Sequence, residues 1–306
     1  MDLHLKFKKS NTFIYITLLV FLFGACSSDD KEKKLQASLE DSISANAKLL
    51  EDFNKAKQVF YSLPSPIETA MLIKRSGAKF NESLINPLSN LSNYVSTRSK
   101  ALNFGVYGAD LSYASLFDQT QTTVKYLSAT KNLAEQLGIL DIIQRPIVER
   151  LEKNINNRDS TMEIITETFM NSNSFLKENG RPEVAALTIA GGWIEGLYIA
   201  TQLTKATPKN NELIDRIIDQ KLSLITLVKL MEEYKTNEDV AIVLADINQI
   251  KAVYDKIQMV SSKIEPVTNK EKHVTTLNAK TDIFVNDEIF NELMLKVEEI
   301  RKKTIL

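Results

Sequence analysis

The chain has 306 residues, of which 43% are hydrophobic and 25% charged, a balance that allows a sizeable hydrophobic core. The net charge is −1 with acids and bases mixed along the chain, which excludes the basic footprint of a nucleic-acid-binding protein. Only 9 glycines and 7 prolines are present, which argues against a turn-rich β fold, and the single cysteine excludes intrachain disulfides and Cys-based metal sites.

The N-terminus has the three parts of a secretory signal. Lysines precede an apolar run over residues 12–23, which ends in the small residues Gly24-Ala25 before Cys26. The run is shorter than the roughly 20 residues that a transmembrane helix needs. We therefore expect residues 1–25 to be a signal peptide that is cleaved before Cys26.

Phe23-Gly24-Ala25-Cys26 resembles the lipobox of bacterial lipoproteins. Gly24 and Ala25 match the small positions, whereas Phe23 departs from the usual Leu, Val or Ile. The resemblance implies that Cys26 carries a diacylglyceryl thioether and an N-acyl chain. Several chains anchor a protein stably, because each buried methylene adds ~0.8 kcal/mol. The alternative is an ordinary secreted protein whose cysteine lies there by chance.

A polar tether, residues 26–34, follows the cleavage point. Its acidic Asp29-Asp30 resembles the surface-export signal of Bacteroidota lipoproteins, which implies lipid anchoring in the outer membrane on the cell surface. The alternative is a generic disordered tether on a lipoprotein of the periplasmic face. The expected partners are the membrane, through Cys26, and an unidentified protein or small molecule.

Helix signals dominate the rest of the chain. Apolar residues recur at helical spacing from Leu35 to Tyr61, and the capping box Ser65–Glu68 opens a second helix that stops at Gly77. Asn86-Pro87 marks a break. Later helices are predicted over residues 97–118, 182–205, 211–234 and 237–261. One more helix follows the first of these and ends at 137, a short one begins at 145, and one runs from the capping box at 160–163 to Gly180. The last begins after Asn286.

Residues 272–277 and 281–285 are rich in β-forming side chains and predict a small hairpin through Asn278-Ala279-Lys280. About ten helices with short connections otherwise predict a single all-α domain over residues 35–306. Because the helix lengths vary, the expected architecture is an irregular multi-helix bundle and not a repeat array.

Two predicted helices are rich in glycine, around Gly105–Gly108 and Gly191–Gly196. Glycine inside a helix costs ~1 kcal/mol relative to alanine, so its use here indicates a close approach of another backbone. Both helices are apolar or small on most sides, which predicts that they are buried. A shift of 85 positions aligns Tyr113 with Tyr198 and suggests a duplicated unit packed about a pseudo-twofold axis.

The same shift aligns Asp110 with Glu195, two acids on helices that are predicted to be buried. A buried carboxylate is costly unless it is paired or hydrogen-bonded. One hypothesis is a central polar pocket that holds both acids. Its walls would be the aromatic residues Tyr107, Tyr113, Trp193 and Tyr198. The alternative is structural: each acid pairs with an arginine, a lysine or a tyrosine hydroxyl and fixes the helix register.

The sequence has no nucleophile elbow, no phosphate-binding loop and no zinc-protease motif, and after cleavage only His273 remains of the histidines. No metal or cofactor is expected. The favoured function is a lipid-anchored envelope protein that acts by binding or as a structural module. The alternative is a carboxylate-based, glycosidase-like hydrolase that uses Asp110 and Glu195.

Overall fold

A computed structural model describes residues 79–139, 145–154, 157–206, 211–261, 265–269, 274–278 and 281–306. They lie in one compact unit that spans Ala47–Leu306. Cys26, the tether, the helix predicted over 35–61 and the capping box at 65–68 fall outside them, so those predictions stay predictions.

The predicted all-α class is confirmed. Two short 3-10 helices, Glu82–Leu84 and Leu88–Asn93, precede the bundle. Its helices are α1 (Thr97–Leu116), α2 (Thr120–Gln136), α3 (Arg145–Asn154), α4 (Arg158–Glu178), α5 (Pro182–Ala206), α6 (Asn211–Glu232), α7 (Glu238–Tyr254) and α8 (Asp287–Ile305).

Helix α5 is the centre of the bundle, since it packs on α1, α4, α6, α7 and α8. It is long and apolar enough to cross a membrane by length and composition, but 94% of its most apolar window is buried inside the protein. Burial on every side explains why this helix has little polar surface.

The two glycine-rich helices, α1 and α5, cross at their glycines, as predicted from the cost of glycine in a helix. A Cβ atom at Gly105 would overlap the carbonyl oxygen of Thr188, and one at Gly191 would overlap the carbonyl of Leu102. Gly108 instead leaves room for the ring of Phe169 in α4. An internal duplication stays a prediction.

Two helix boundaries differ from those predicted. The prediction that the capping box at 160–163 starts α4 is wrong, because Asn157 caps this helix. The Asn157 side chain accepts a hydrogen bond from the Ser160 amide. Asn also has a strong N-cap preference, and Asn157 lies one turn earlier. Asn237 caps α7 as predicted, but this helix ends at Tyr254 and not at Ser261.

The β structure of the described residues consists of two two-stranded antiparallel sheets between α7 and α8. Its antiparallel strands are β1 (Gln258–Ser261), β2 (Glu265–Asn269), β3 (Val274–Asn278) and β4 (Thr281–Phe284). Strands lie at both predicted positions, but the predicted pairing is wrong: β3 pairs with β2, and β4 pairs with β1. The predicted turn at Asn278-Ala279-Lys280 lacks the glycine that favours a tight hairpin turn. The chain instead reverses direction between β2 and β3.

Candidate functional site

Asp110 and Glu195 meet inside the protein. Each lies near the middle of its helix, on α1 and α5, and each is 0% exposed. The glycine contacts between these helices bring the two backbones close enough for the short carboxyl side chains to reach each other. The two carboxyl groups lie within hydrogen-bonding reach of each other, and each affects the pKa of the other.

Arg301 of α8 is the cation of the site. Its Nε and Nη2 atoms donate to the two carboxylate oxygens of Glu195, each at 2.9 Å, in a bidentate pair. The guanidinium also lies over the ring of Tyr198, 4.4 Å from the ring centre. Glu195 therefore has the arginine partner that the structural alternative requires, and planar bidentate geometry is the strongest form of such a pair.

Asp110 is held differently. Its Oδ2 accepts a hydrogen bond from the Asn86 amide at 3.0 Å, whereas Oδ1 has no donor from another residue of the described chain. Burial and the negative charge of Glu195 raise the pKa of Asp110 well above its usual range. Burial also raises the pKa of Glu195, although Arg301 opposes that rise.

These contacts fit a pair of acids that share one proton. Two charged carboxylates in contact repel each other, so one of them holds a proton and donates it to the other. With that proton the pair has a charge of −1, which Arg301 neutralises. The shared proton also gives Asp110 Oδ1 the role of a donor, which removes its unsatisfied state.

A segment of the chain, residues 79–96, covers this site, and we call it the docked segment. Its backbone is bound by buried side chains of the bundle at five points. Arg301 donates to the Leu84 carbonyl at 3.1 Å, and Tyr126 donates to the Asn86 carbonyl at 2.7 Å. The other three contacts are Asn86 N–H to Asp110, Asn81 N–H to the Tyr113 hydroxyl and Tyr107 hydroxyl to the Pro87 carbonyl.

The side chain of Asn86 extends this network. Its Nδ2 donates to the Tyr94 hydroxyl and to Asn103 Oδ1, at 2.9 and 3.2 Å. The Tyr94 hydroxyl in turn donates to the Ile305 carbonyl at 3.1 Å. Asn103 donates to the Thr304 carbonyl at 2.9 Å. The docked segment is thereby tied to the C-terminal end of α8.

Two of the four predicted pocket walls, Tyr107 and Tyr198, lie within electrostatic reach of the acids. Tyr198 lies at Arg301, and Tyr107 is buried near Asp110. Trp193 points elsewhere, since its Nε1 donates to the Ser223 hydroxyl at 3.0 Å. The Tyr113 ring packs on Phe80 and Phe117. The aromatic residues fill the core and satisfy their polar atoms there.

Sequence reasoning missed the cation and the amide residues of the site. Arg301 follows Leu293 and Val297 at intervals of four, on the apolar stripe of α8, and a basic residue on such a stripe predicts a buried ion pair. The sequence around Asn86 predicted only a break between helices at Asn86-Pro87. Its role depends on tertiary contacts with α1 and α2.

No protein-family model, curated protein or solved structure matches this chain. In the part of the chain that the structure describes, no three His, Cys, Asp or Glu side chains come together as a metal-binding group. The chemistry of the site is therefore inferred from its own atoms.

Proposed function

We propose that this chain is a lipid-anchored outer-membrane protein, displayed on the cell surface, whose helical domain acts by binding or as a structural module. The observation that carries the proposal is the sequence Phe23-Gly24-Ala25-Cys26, which follows a basic and an apolar region and contains the chain's single cysteine. The acidic Asp29-Asp30 beside it supports an outward-facing location.

The geometry of the carboxyl pair supports a binding or structural role over the hydrolase alternative. A glycosidase holds its two carboxyl groups about 5–9.5 Å apart with the sugar between them. Here the carboxyl groups are in contact, both are 0% exposed, and one is paired with Arg301. An acid that shares its proton with a neighbour in a closed core has no access to a substrate.

The lipid anchor is tested by metabolic labelling with palmitate in a bacterial host that processes lipoproteins. Full-length protein is expected to incorporate label and to partition with the membrane. A Cys26→Ala variant should lose both properties, because the thioether needs the sulfur. Equal labelling of the two forms would refute the anchor.

The location is tested separately by protease treatment of intact cells. Surface display predicts digestion without permeabilisation, whereas a periplasmic location predicts protection. Replacement of Asp29 and Asp30 by Asn is the matched variant, and it should shift the protein towards protection if the acidic tether directs export. Unchanged digestion of this variant would show that the tether does not carry the signal.

A further inference from the structure

We propose that the docked segment is a proton-dependent cover: it stays seated while Asp110 and Glu195 share one proton, and loss of that proton releases it from α1 and α8. The ligand of the site is then the proton itself. The proposal depends on the contacts of the docked segment with Asp110 and with Arg301.

The contacts make the segment sensitive to the charge of the pair. Asn86 N–H binds Asp110, and Arg301 divides its donors between Glu195 and the Leu84 carbonyl. If the shared proton leaves to solvent, two adjacent carboxylates face one guanidinium in a dry core. That state is costly unless water reaches the pair.

The opening that admits water to the pair at the lowest free energy is displacement of the docked segment. The other sides are formed by long helices, including the central α5, whose movement would disrupt the core. The segment consists of two short 3-10 helices and extended chain, and the lowest-cost openings of a protein occur in such elements. Leu84, Ile85 and Tyr94 are the buried apolar side chains that also hold the segment on the bundle.

The groups around the pair do not supply a second proton near neutral pH. Tyrosines face it from the docked segment, α1, α2 and α5, and burial raises the pKa of each, so they stay neutral. Arg301 faces the pair from α8. The charge of Glu82 raises the pKa of Tyr126, and the charge of Glu298 raises that of Tyr198. The titratable and charged groups concerned are Tyr94, Tyr107, Tyr126, Tyr198, Arg301, Glu82 and Glu298.

Hydrogen exchange of the full chain tests the proposal. The measured exchange rate of the Asn86 amide is divided by its intrinsic rate from about pH 6 to about pH 9. The Leu227 amide, buried in α6, reports opening of the whole bundle and should exchange more slowly than the Asn86 amide at every pH. The ratio of measured to intrinsic rate for Asn86 is expected to rise by up to about tenfold per pH unit in the range where one proton is released. A ratio that stays constant would overturn the proposal.

Two isosteric variants assign the effect to the pair. Asp110→Asn and Glu195→Gln each supply an amide hydrogen in place of the shared proton, so the ratio should change less than about twofold over the same range. Asp215→Asn, at an exposed position on α6, is the matched control and should behave as the wild type. Retention of the full pH dependence in both amide variants would overturn the proposal; if neither variant folds, the wild-type ratio decides.

Discussion

At the scale of single residues, the centre of the molecule is a three-residue ionic group. Glu195 and Asp110 were recognisable in the sequence as acids on apolar helices. Their contact was predictable only to the extent that both helices carry glycines close to the acid. The partner, Arg301, lies 106 positions from Glu195, and no local pattern links two residues that meet only through the packing of α8 on α5.

Removal of the cation should be costly. Arg301→Met leaves Glu195 without its bidentate donors and the Leu84 carbonyl without its own, so we expect a loss of about 3–5 kcal/mol in the free energy of unfolding. Arg98→Met is the control, because the Arg98–Asp239 pair is partly exposed and should contribute below about 1 kcal/mol. Urea denaturation measures both, and equal losses would contradict a central role for Arg301.

At the scale of elements, glycine determines how closely α1 and α5 approach. The sequence predicted this from the cost of glycine inside a helix, without identifying the neighbouring atoms. The capping residues at Asn237 and Asn286 were predictable because N-cap preference is local. The pairing of the β strands was not, since it depends on where the chain reverses, and Asn269 and Asn278 both have the turn preference of asparagine.

Gly105→Ala tests the helix crossing. The new methyl group would overlap the backbone of Thr188, which cannot rotate away, so we expect a loss of about 3 kcal/mol. Gly180→Ala is the control: its φ is +70° but nothing lies within 4 Å of the added Cβ, so only the conformational cost of about 1 kcal/mol remains. Thermal or urea unfolding would contradict the close crossing if Gly105→Ala were the milder change.

At the scale of the whole molecule, the acids should give stability an unusual pH dependence. The folded protein raises the pKa of Asp110 above its ordinary value of 3.8, so the folded state binds protons that the unfolded chain has already lost. The contribution of Asp110 is therefore fully present below about pH 4 and is lost as the pH rises through the folded pKa.

Comparison with Asp110→Asn isolates this contribution from that of the surface carboxylates. The variant does not titrate at this position, so its free energy of unfolding relative to the wild type should increase as the pH rises above about 4. Urea denaturation at several pH values measures the difference. A difference that does not change with pH would show that Asp110 titrates alike in the folded and unfolded states.

The most direct test of the central claim, that the buried acids share one proton, is a carbon-13 NMR titration of the two carboxyl carbons. The Asp110 and Glu195 signals are assigned by their loss in Asp110→Asn and Glu195→Gln. We expect the pair to retain one proton at neutral pH, with at least one carbon at the shift of a neutral acid. Two carboxylate shifts at neutral pH, with titration near the ordinary values of 3.8 and 4.5, would contradict it.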